Sequence, residues 1–286
     1  MRLPALPPRA SWQALLERAL AEDLGPGDAT STAVLPATAL GEAVVEAREP
    51  LVACGLPVAE AVFAAVDPAL ETKREWQEGE ARERDLPLLR VRGSLRSILA
   101  AERTALNFLQ RMCGVATWTR RFVHAVEGTG CRVLDTRKTL PGWRVLDKYA
   151  AAVGGAANHR MGLYDALLIK DNHVAAAGGV GAAVRAARAA APPGLRLQVE
   201  VETAEQAEEA LAAGAEWLLL DNRSPAELRA LAARFRARAV LEASGGITLA
   251  NVRSFAETGV HFVSAGALTH SAPAADLALE IQRGGA

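Results

Sequence analysis

Between residues 130 and 270 the chain repeats one pattern, a short apolar run ending in polar residues and followed by an alanine-rich stretch. The runs are "RVLDTRK" (132–138), "DALLIKDNH" (165–173), "LQVEVE" (197–202), "WLLLDN" (217–222), "AVLEASGG" (239–246) and "HFVSAG" (261–266). Runs this short, separated by helical stretches, predict parallel strands covered by helices. Helix starts are marked by local chemistry. Thr203 and Gln206 have capping-box spacing, and Ser224, Pro225 and Glu227 supply an N-cap, an N1 proline and an N3 acid. Six such units suit a TIM-like barrel or an open doubly wound sheet. The barrel is preferred, because no Gly-x-Gly-x-x-Gly opens the first unit and "GGVGAAV" (178–184) follows a polar loop.

The first hundred residues read differently. Ser11 is a candidate N-cap for a helix carrying Trp12, Leu15, Leu16 and Leu20, which the two glycines and the proline of "EDLGPGDAT" (22–30) then stop. Strands are predicted around Ala43 to Ala47 and Leu88 to Arg92, with a helix near Pro57 to Val66, making a small α+β unit. From about Ser97 to about Val126 a long helix, weakened only by Gly114, is expected to join two domains. The division expected is 1–105 for the first domain and 106–286 for the second, with a final helix that packs back on the first.

Composition narrows the function. Half of the 286 residues are hydrophobic and the net charge is −1, so the chain has core enough for two domains and no overall bias toward nucleic acid or membrane. Any anion site must be a local gathering of cations. Cys54, Cys113 and Cys131 are odd in number and lack metal or redox spacing, which predicts reduced structural thiols in a cytoplasmic protein. No apolar run has the length of a signal peptide or a membrane span.

Both faces of a parallel sheet are covered, so polar residues in its strands must point into a barrel or to its mouth. The strand ends carry Arg137 and Lys138, then Lys170 with Asn172 and His173, Glu200 and Glu202, Asp221 and Asn222, Ser244 with Gly245 and Gly246, and finally Gly266. Barrel enzymes keep their active sites at this end. The chain has only four lysines, and two of them, Lys138 and Lys170, stand there. Both can alternatively serve as barrel-layer residues paired with Glu200 or Glu242. The glycines of the last two loops offer backbone N–H groups to a phosphate. Glu200 and Asp221, on neighbouring strands, suit Mg²⁺ or the stabilisation of a cationic transition state. His159 and Arg160 precede the second strand and add to the basic set. Two competing chemistries are a Schiff base on Lys170, as in an aldolase-like barrel, and a non-catalytic receptor for phosphorylated metabolites. Paired acids disfavour the receptor unless a cation binds as well.

The segments "AERTALNFLQRMCGVAT" (101–117), "DTRKTLPGWRVLDKYAAAVGGAANHRMGLYDALLIKDNH" (135–173), "VEVET", "LLLDN", "LEASGGI" and "VSAGALTHS" together resemble the quinolinate phosphoribosyltransferases, or carboxylating nicotinate-nucleotide pyrophosphorylases. The resemblance runs from "EDLGPGDAT" near the start to the last helix. It implies the type II phosphoribosyltransferase architecture, an N-terminal α/β sandwich followed by an incomplete α/β barrel of seven strands, of which six are distinguished here. It implies conversion of quinolinate and phosphoribosyl pyrophosphate, with Mg²⁺, into nicotinate mononucleotide, pyrophosphate and CO2 in NAD biosynthesis. A homodimer, or a larger assembly of dimers such as a hexamer, with shared active sites is also implied, Arg103 reaching its partner's site. By position, Arg103, Thr136, Arg137, His159, Arg160 and the lysines match substrate-binding residues. Lys138, Lys170, Glu200 and Asp221 match catalytic positions, Glu200 and Asp221 also metal positions, and Ser244, Gly245, Gly246 and Gly266 match the 5′-phosphate loops. Cys113 departs from the family pattern, which has serine there.

Overall fold

The structure, a computed structural model, describes residues 3–192 and 194–282. In chain order its elements are α1 (Gln13–Leu24), α2 (Ala29–Val34), β1 (Leu40–Ala47), β2 (Leu51–Val52), α3 (Leu56–Val66), β3 (Glu71–Arg74), β4 (Ala81–Arg82), β5 (Leu86–Ser94) and α4 (Leu95–Ala125). There follow β6 (Arg132–Leu134), α5 (Arg144–Gly154), β7 (Leu167–Ile169), α6 (Asp171–Ala177), α7 (Val180–Ala190), β8 (Leu197–Val201) and α8 (Ala204–Ala212). The last are β9 (Trp217–Asp221), α9 (Pro225–Phe235), β10 (Val240–Ser244), α10 (Val252–Ala256), β11 (Phe262–Ser264), α11 (Ala267–His270) and β12 (Leu277–Gln282).

Two compact units result, and neither follows a single cut at residue 105. The first comprises residues 1–120, 140–155 and 272 onward, and the second 121–139 and 156–271. The physical reason is continuity. Helix α4 is unbroken past residue 105, and α5 contributes Leu146, Tyr149, Ala150 and Val153 to the core of the first unit.

The first unit is built on an antiparallel sheet of order β12-β1-β5-β3. Helix α3 is apolar almost all round and buries Leu56, Val58, Val62 and Phe63 in the same cluster as Phe108, Leu109 and Met112 of α4. Each such side chain contributes roughly 1.5–3 kcal/mol on burial. The terminal segment expected to be a helix is instead β12, paired with β1 from Ala47↔Leu277 to Glu42↔Gln282. Its alternation of Leu277, Leu279 and Ile281 has the period of a strand, and pairing covers what would otherwise be an open edge of β1.

Ser11 does not cap α1. It lies in a short 3-10 turn and donates its hydroxyl to the Pro8 carbonyl, leaving Trp12 at the N-cap. Downstream, Asp28 caps α2 by accepting the Ser31 amide at 3.0 Å. Gly114 proves to be a close-approach residue, since a Cβ there would lie 2.1 Å from the Pro273 carbonyl oxygen. Cys54 and Cys113, distant in sequence, meet: the Cys54 amide donates to Cys113 Sγ at 3.3 Å, and the Cys113 thiol donates to the Cys54 carbonyl at 3.2 Å. The thiol of Cys113 thus makes the two contacts a serine hydroxyl would make, and all three cysteines are free and buried.

The second unit is a parallel sheet of order β6-β11-β10-β9-β8-β7. The strand hidden in the sequence shrinks to one residue, Ala157, which bridges Leu134 in parallel on the outer side of β6. A single bridged residue leaves no periodicity to read. Curvature follows from reach. Ala157 and β10 are three strand spacings apart, roughly 14 Å on a flat sheet, yet His159 Nε2 lies 3.6 Å from Glu242 Oε2. The sheet therefore closes round an interior, as expected of an incomplete barrel. Capping at Ser224 and Glu227 forms as predicted. At α8, Thr203 accepts the Gln206 amide, while the Gln206 side chain takes the Glu202 amide rather than that of Thr203. No helix among the described residues is long and apolar enough to cross a membrane.

Candidate active site

All strands of the second unit run parallel, so their C-terminal ends share one edge. Register aligns those ends: Ser264 pairs with Leu134, Ser244 with Asp221, Val201 with Leu220 and Ile169 with Val199. Thr136, Arg137, Lys138, His159, Arg160, Lys170, Glu200, Asp221, Ser244, Gly245, Gly246 and Gly266 all lie at or just beyond this edge or on the inward face beneath it. Arg103 stands exposed on α4 in the first unit.

Alternation decides which side chains point inward. Glu200 pairs with Leu219, so Asp221, two residues on, shares its face on the next strand. Such diagonal neighbours have Cα atoms about 7–8 Å apart, within reach of carboxylates. Glu200 is largely buried, and its Oε2 lies 3.2 Å from the Lys170 ammonium without hydrogen-bond geometry. Asp221 Oδ2 accepts the side-chain amide of Asn222 at 2.6 Å. Asn222 adopts φ 52°, and the turn beside it needs Gly245, where a Cβ would fall 2.1 Å from Asn222 Oδ1. At Gly246, with φ +61°, nothing approaches a Cβ position within 4 Å, so the backbone is open to a ligand. Gly266 is packed by Lys138, whose Cδ would lie 2.7 Å from a Cβ there, and Thr269 donates to the Lys138 carbonyl at 2.7 Å. The two glycine loops and Lys138 thus belong to one surface.

On the other flank the cations crowd. Arg160 is buried, and its pKa is held below its ordinary value by that burial first and by the charge of Arg137 second, with Asp165 opposing. Arg137 Nε is buried with no hydrogen-bond partner. The His159 amide is held by Asp135 Oδ1 at 2.7 Å, and its ring Nδ1 accepts the Arg160 amide at 2.7 Å. His173 serves the local backbone, its Nδ1 accepting the Lys170 amide at 3.0 Å. Glu202 is exposed past the end of β8.

The sequence reading assigned no site role to Gln198 or Asp135, and to Glu242 only that of a lysine partner. Among the described residues Lys170 pairs with Glu200 and not with Glu242. Glu242 is fully buried and accepts Gln198 Nε2 at 2.6 Å and Trp217 Nε1 at 3.0 Å. Burial raises its carboxyl above the ordinary carboxylate range, against the donors Ser264, Gln198 and Trp217 and the more distant charge of Arg196. For Gln198 and Glu242 the available signal was a polar residue inside an apolar strand on the same alternation as Glu200 and Asp221.

No cluster of three or more His, Cys, Asp or Glu side chains able to hold a metal occurs among the described residues. Glu200 and Asp221 fit a hard cation that takes its other ligands from substrate and water, as magnesium does.

The quinolinate phosphoribosyl transferase N-terminal domain matches residues 28–113, and the C-terminal domain of the same family matches 115–280. A nicotinate-nucleotide pyrophosphorylase [carboxylating] of Mycobacterium leprae is 44% identical over 274 residues, 93% of this chain and 95% of that protein. A probable enzyme of the same name from Synechocystis is 40% identical over 98% of this chain and 96% of that protein. The solved nicotinate-nucleotide pyrophosphorylase from Francisella tularensis superposes with a TM-score of 0.92 at 36% identity, covering 96% of this chain and 97% of that one. NadC from Streptococcus pyogenes gives 0.94 at 35% identity, covering 98% and 99%. With both family domains matched in order and relatives at this identity spanning nearly the whole chain, the protein belongs to the quinolinate phosphoribosyltransferase family and is a phosphoribosyltransferase.

Proposed function

We propose that the strand-end site joins quinolinate to the phosphoribosyl group of phosphoribosyl pyrophosphate, yielding nicotinate mononucleotide, pyrophosphate and CO2 in NAD biosynthesis. The observation that carries this reading is that Arg137 and Arg160, each acting on the other's charge, stand at the same sheet edge as Glu200 and Asp221. Two guanidiniums, one of them with a buried N–H that has no hydrogen-bond partner, suit a dianionic planar acid. In this role Arg137, His159, Arg160, Lys138 and Thr136 form the quinolinate pocket, and Ser244, Gly245, Gly246 and Gly266 cradle the 5′-phosphate. Arg103 supplies a further cation to the site of a partner subunit in a homodimer or hexamer.

The pyridine nitrogen attacks the anomeric carbon as pyrophosphate departs, and positive charge develops on the ribose. Glu200 and Asp221, fixed on rigid strands, stabilise that charge without reorganising. Lys170, paired with Glu200, neutralises the leaving phosphates together with Lys138. Mg²⁺, held by Glu200 and Asp221, supplies charge neutralisation for the pyrophosphate when bound. N-ribosylation leaves the ring cationic, so the bond to the carboxylate beside the nitrogen breaks with its electron pair left on the ring carbon, stabilised by the adjacent positive nitrogen, and a proton from water then takes the place of the departed CO2. The ion pair of Lys170 with Glu200 gives no support to a Schiff-base role.

Mass spectrometry of the product from quinolinate and phosphoribosyl pyrophosphate with Mg²⁺ tests the reading. The expected product is nicotinate mononucleotide, and its absence with folded enzyme would refute the assignment.

A further inference from the structure

Beneath the basic flank, one carboxylate links three strands to the loop that carries Arg160. Glu242 Oε2 accepts Gln198 Nε2 and Trp217 Nε1 and lies 3.6 Å from His159 Nε2, while Oε1 has no hydrogen-bond partner. The other ring nitrogen of His159 accepts the Arg160 amide, so the neutral ring carries its proton on Nε2, facing Glu242. Both ring nitrogens are thus directed into the protein. The chain of contacts runs from Glu242 through the imidazole to the backbone of Arg160, whose guanidinium in turn donates to the Ala166 carbonyl at 3.3 Å.

We propose that Glu242 is a positioning residue for the substrate's carboxylates, acting through the His159 ring to fix Arg160. His159 then supports the pocket from below, and the guanidiniums of Arg160 and Arg137 make the contacts with the anion. The inference rests on the assignment of Arg160 to carboxylate binding. Glu242 lies on β10 two residues before Ser244, but its link to the anion pocket runs through its side chain, so a substitution that keeps the strand backbone changes affinity for one substrate and leaves the other alone. The groups that face Glu242 are Gln198 on β8, Trp217 on β9, Ser264 on β11, Arg196 before β8 and His159 after Ala157.

Glu242→Leu strands two buried donors and can cost folding, so Glu242→Gln, which keeps an acceptor, is the deciding variant. Equilibrium titration should show quinolinate bound about threefold to tenfold more weakly, with phosphoribosyl pyrophosphate affinity unchanged within about twofold. His159→Phe should weaken quinolinate similarly, and the double variant should be no worse than His159→Phe alone, since residues in one chain do not add. Additive losses, or equal losses for both substrates, would overturn the proposal. A second readout needs no substrate: the His159 Nε2–H resonance in a ¹H–¹⁵N spectrum should move in Glu242→Gln, and an unmoved resonance overturns the link. If wild-type protein binds no quinolinate, the substrate assignment fails while this resonance still decides whether Glu242 governs His159.

Discussion

The sheet of the first unit and the strand-end edge of the second treat charge in opposite ways. On the first, Arg90 pairs with Glu42 and Glu75 at 2.8 Å each, Arg92 with Glu42, Lys73 with Glu75 at 3.0 Å and Arg48 with Glu280 at 2.7 Å. Every cation in this ladder meets a carboxylate, the arginines across strands and Lys73 two residues along its own. At the edge of the second, the charges of Arg137 and Arg160 act on one another, and Arg137 Nε and Glu242 Oε1 lack hydrogen-bond partners. Two acids, Glu78 and Glu242, repeat the contrast. Glu78 of the first unit accepts the Gly55 and Leu56 amides and the Tyr149 hydroxyl, at 3.0, 2.7 and 2.8 Å, which satisfies both oxygens. Glu242 keeps one oxygen without a partner. Balanced charge holds a fold together, whereas like charges forced together store binding capacity for a ligand of opposite sign.

Substitution at the strand-end edge should give the largest effects. Lys138→Ala and Glu200→Ala are expected to fold normally and to lose about 2–4 kcal/mol of transition-state stabilisation, a hundredfold or more in turnover. Steady-state kinetics beside a thermal melt checks this, and wild-type rates in both would erase the contrast. Arg103→Ala should raise KM for quinolinate roughly tenfold or more. Mixed with a Glu200→Ala subunit it should recover activity, and silent mixed dimers would argue against shared sites.

In the first unit, effects should fall on stability. Gly114→Ala would ordinarily strengthen a helix by about 1 kcal/mol, but the Pro273 carbonyl reverses the sign, and a loss of about 1–3 kcal/mol or more is expected from denaturant unfolding. The pH dependence separates the two kinds of acid. Burial raises Glu78 in the folded state, so its contribution is full below the unfolded pKa and is lost as pH rises through the folded value. Arginine hydrogen bonds lower Glu42, so its contribution is present above the unfolded pKa and is lost as pH falls. Glu78→Gln should therefore remove a decline in stability on the alkaline side of the carboxylate range, whereas Glu42→Gln should soften the acid limb. Smallest of all, Arg48→Ala should shift Tm by less than about 2 °C, because exposed ion pairs contribute little.

What the sequence determined by itself was everything carried by local period and local chemistry. Six strand runs, the cap at Ser224 and the shared alternation of Gln198 and Glu200 are properties of neighbouring residues, and in a parallel sheet they place the polar ends on one edge. Residue-by-residue likeness to a family added the roles. Tertiary structure alone decided that residues 277–282 become a strand, because helix formers with apolar alternation satisfy both periods until β1 offers its edge. It alone made a strand of Ala157, a residue too short a signal for any pattern, and set the helix start at Trp12 rather than Ser11. Above all it gave Glu242 its place, since only sheet curvature brings a residue on β10 to His159, three strands away.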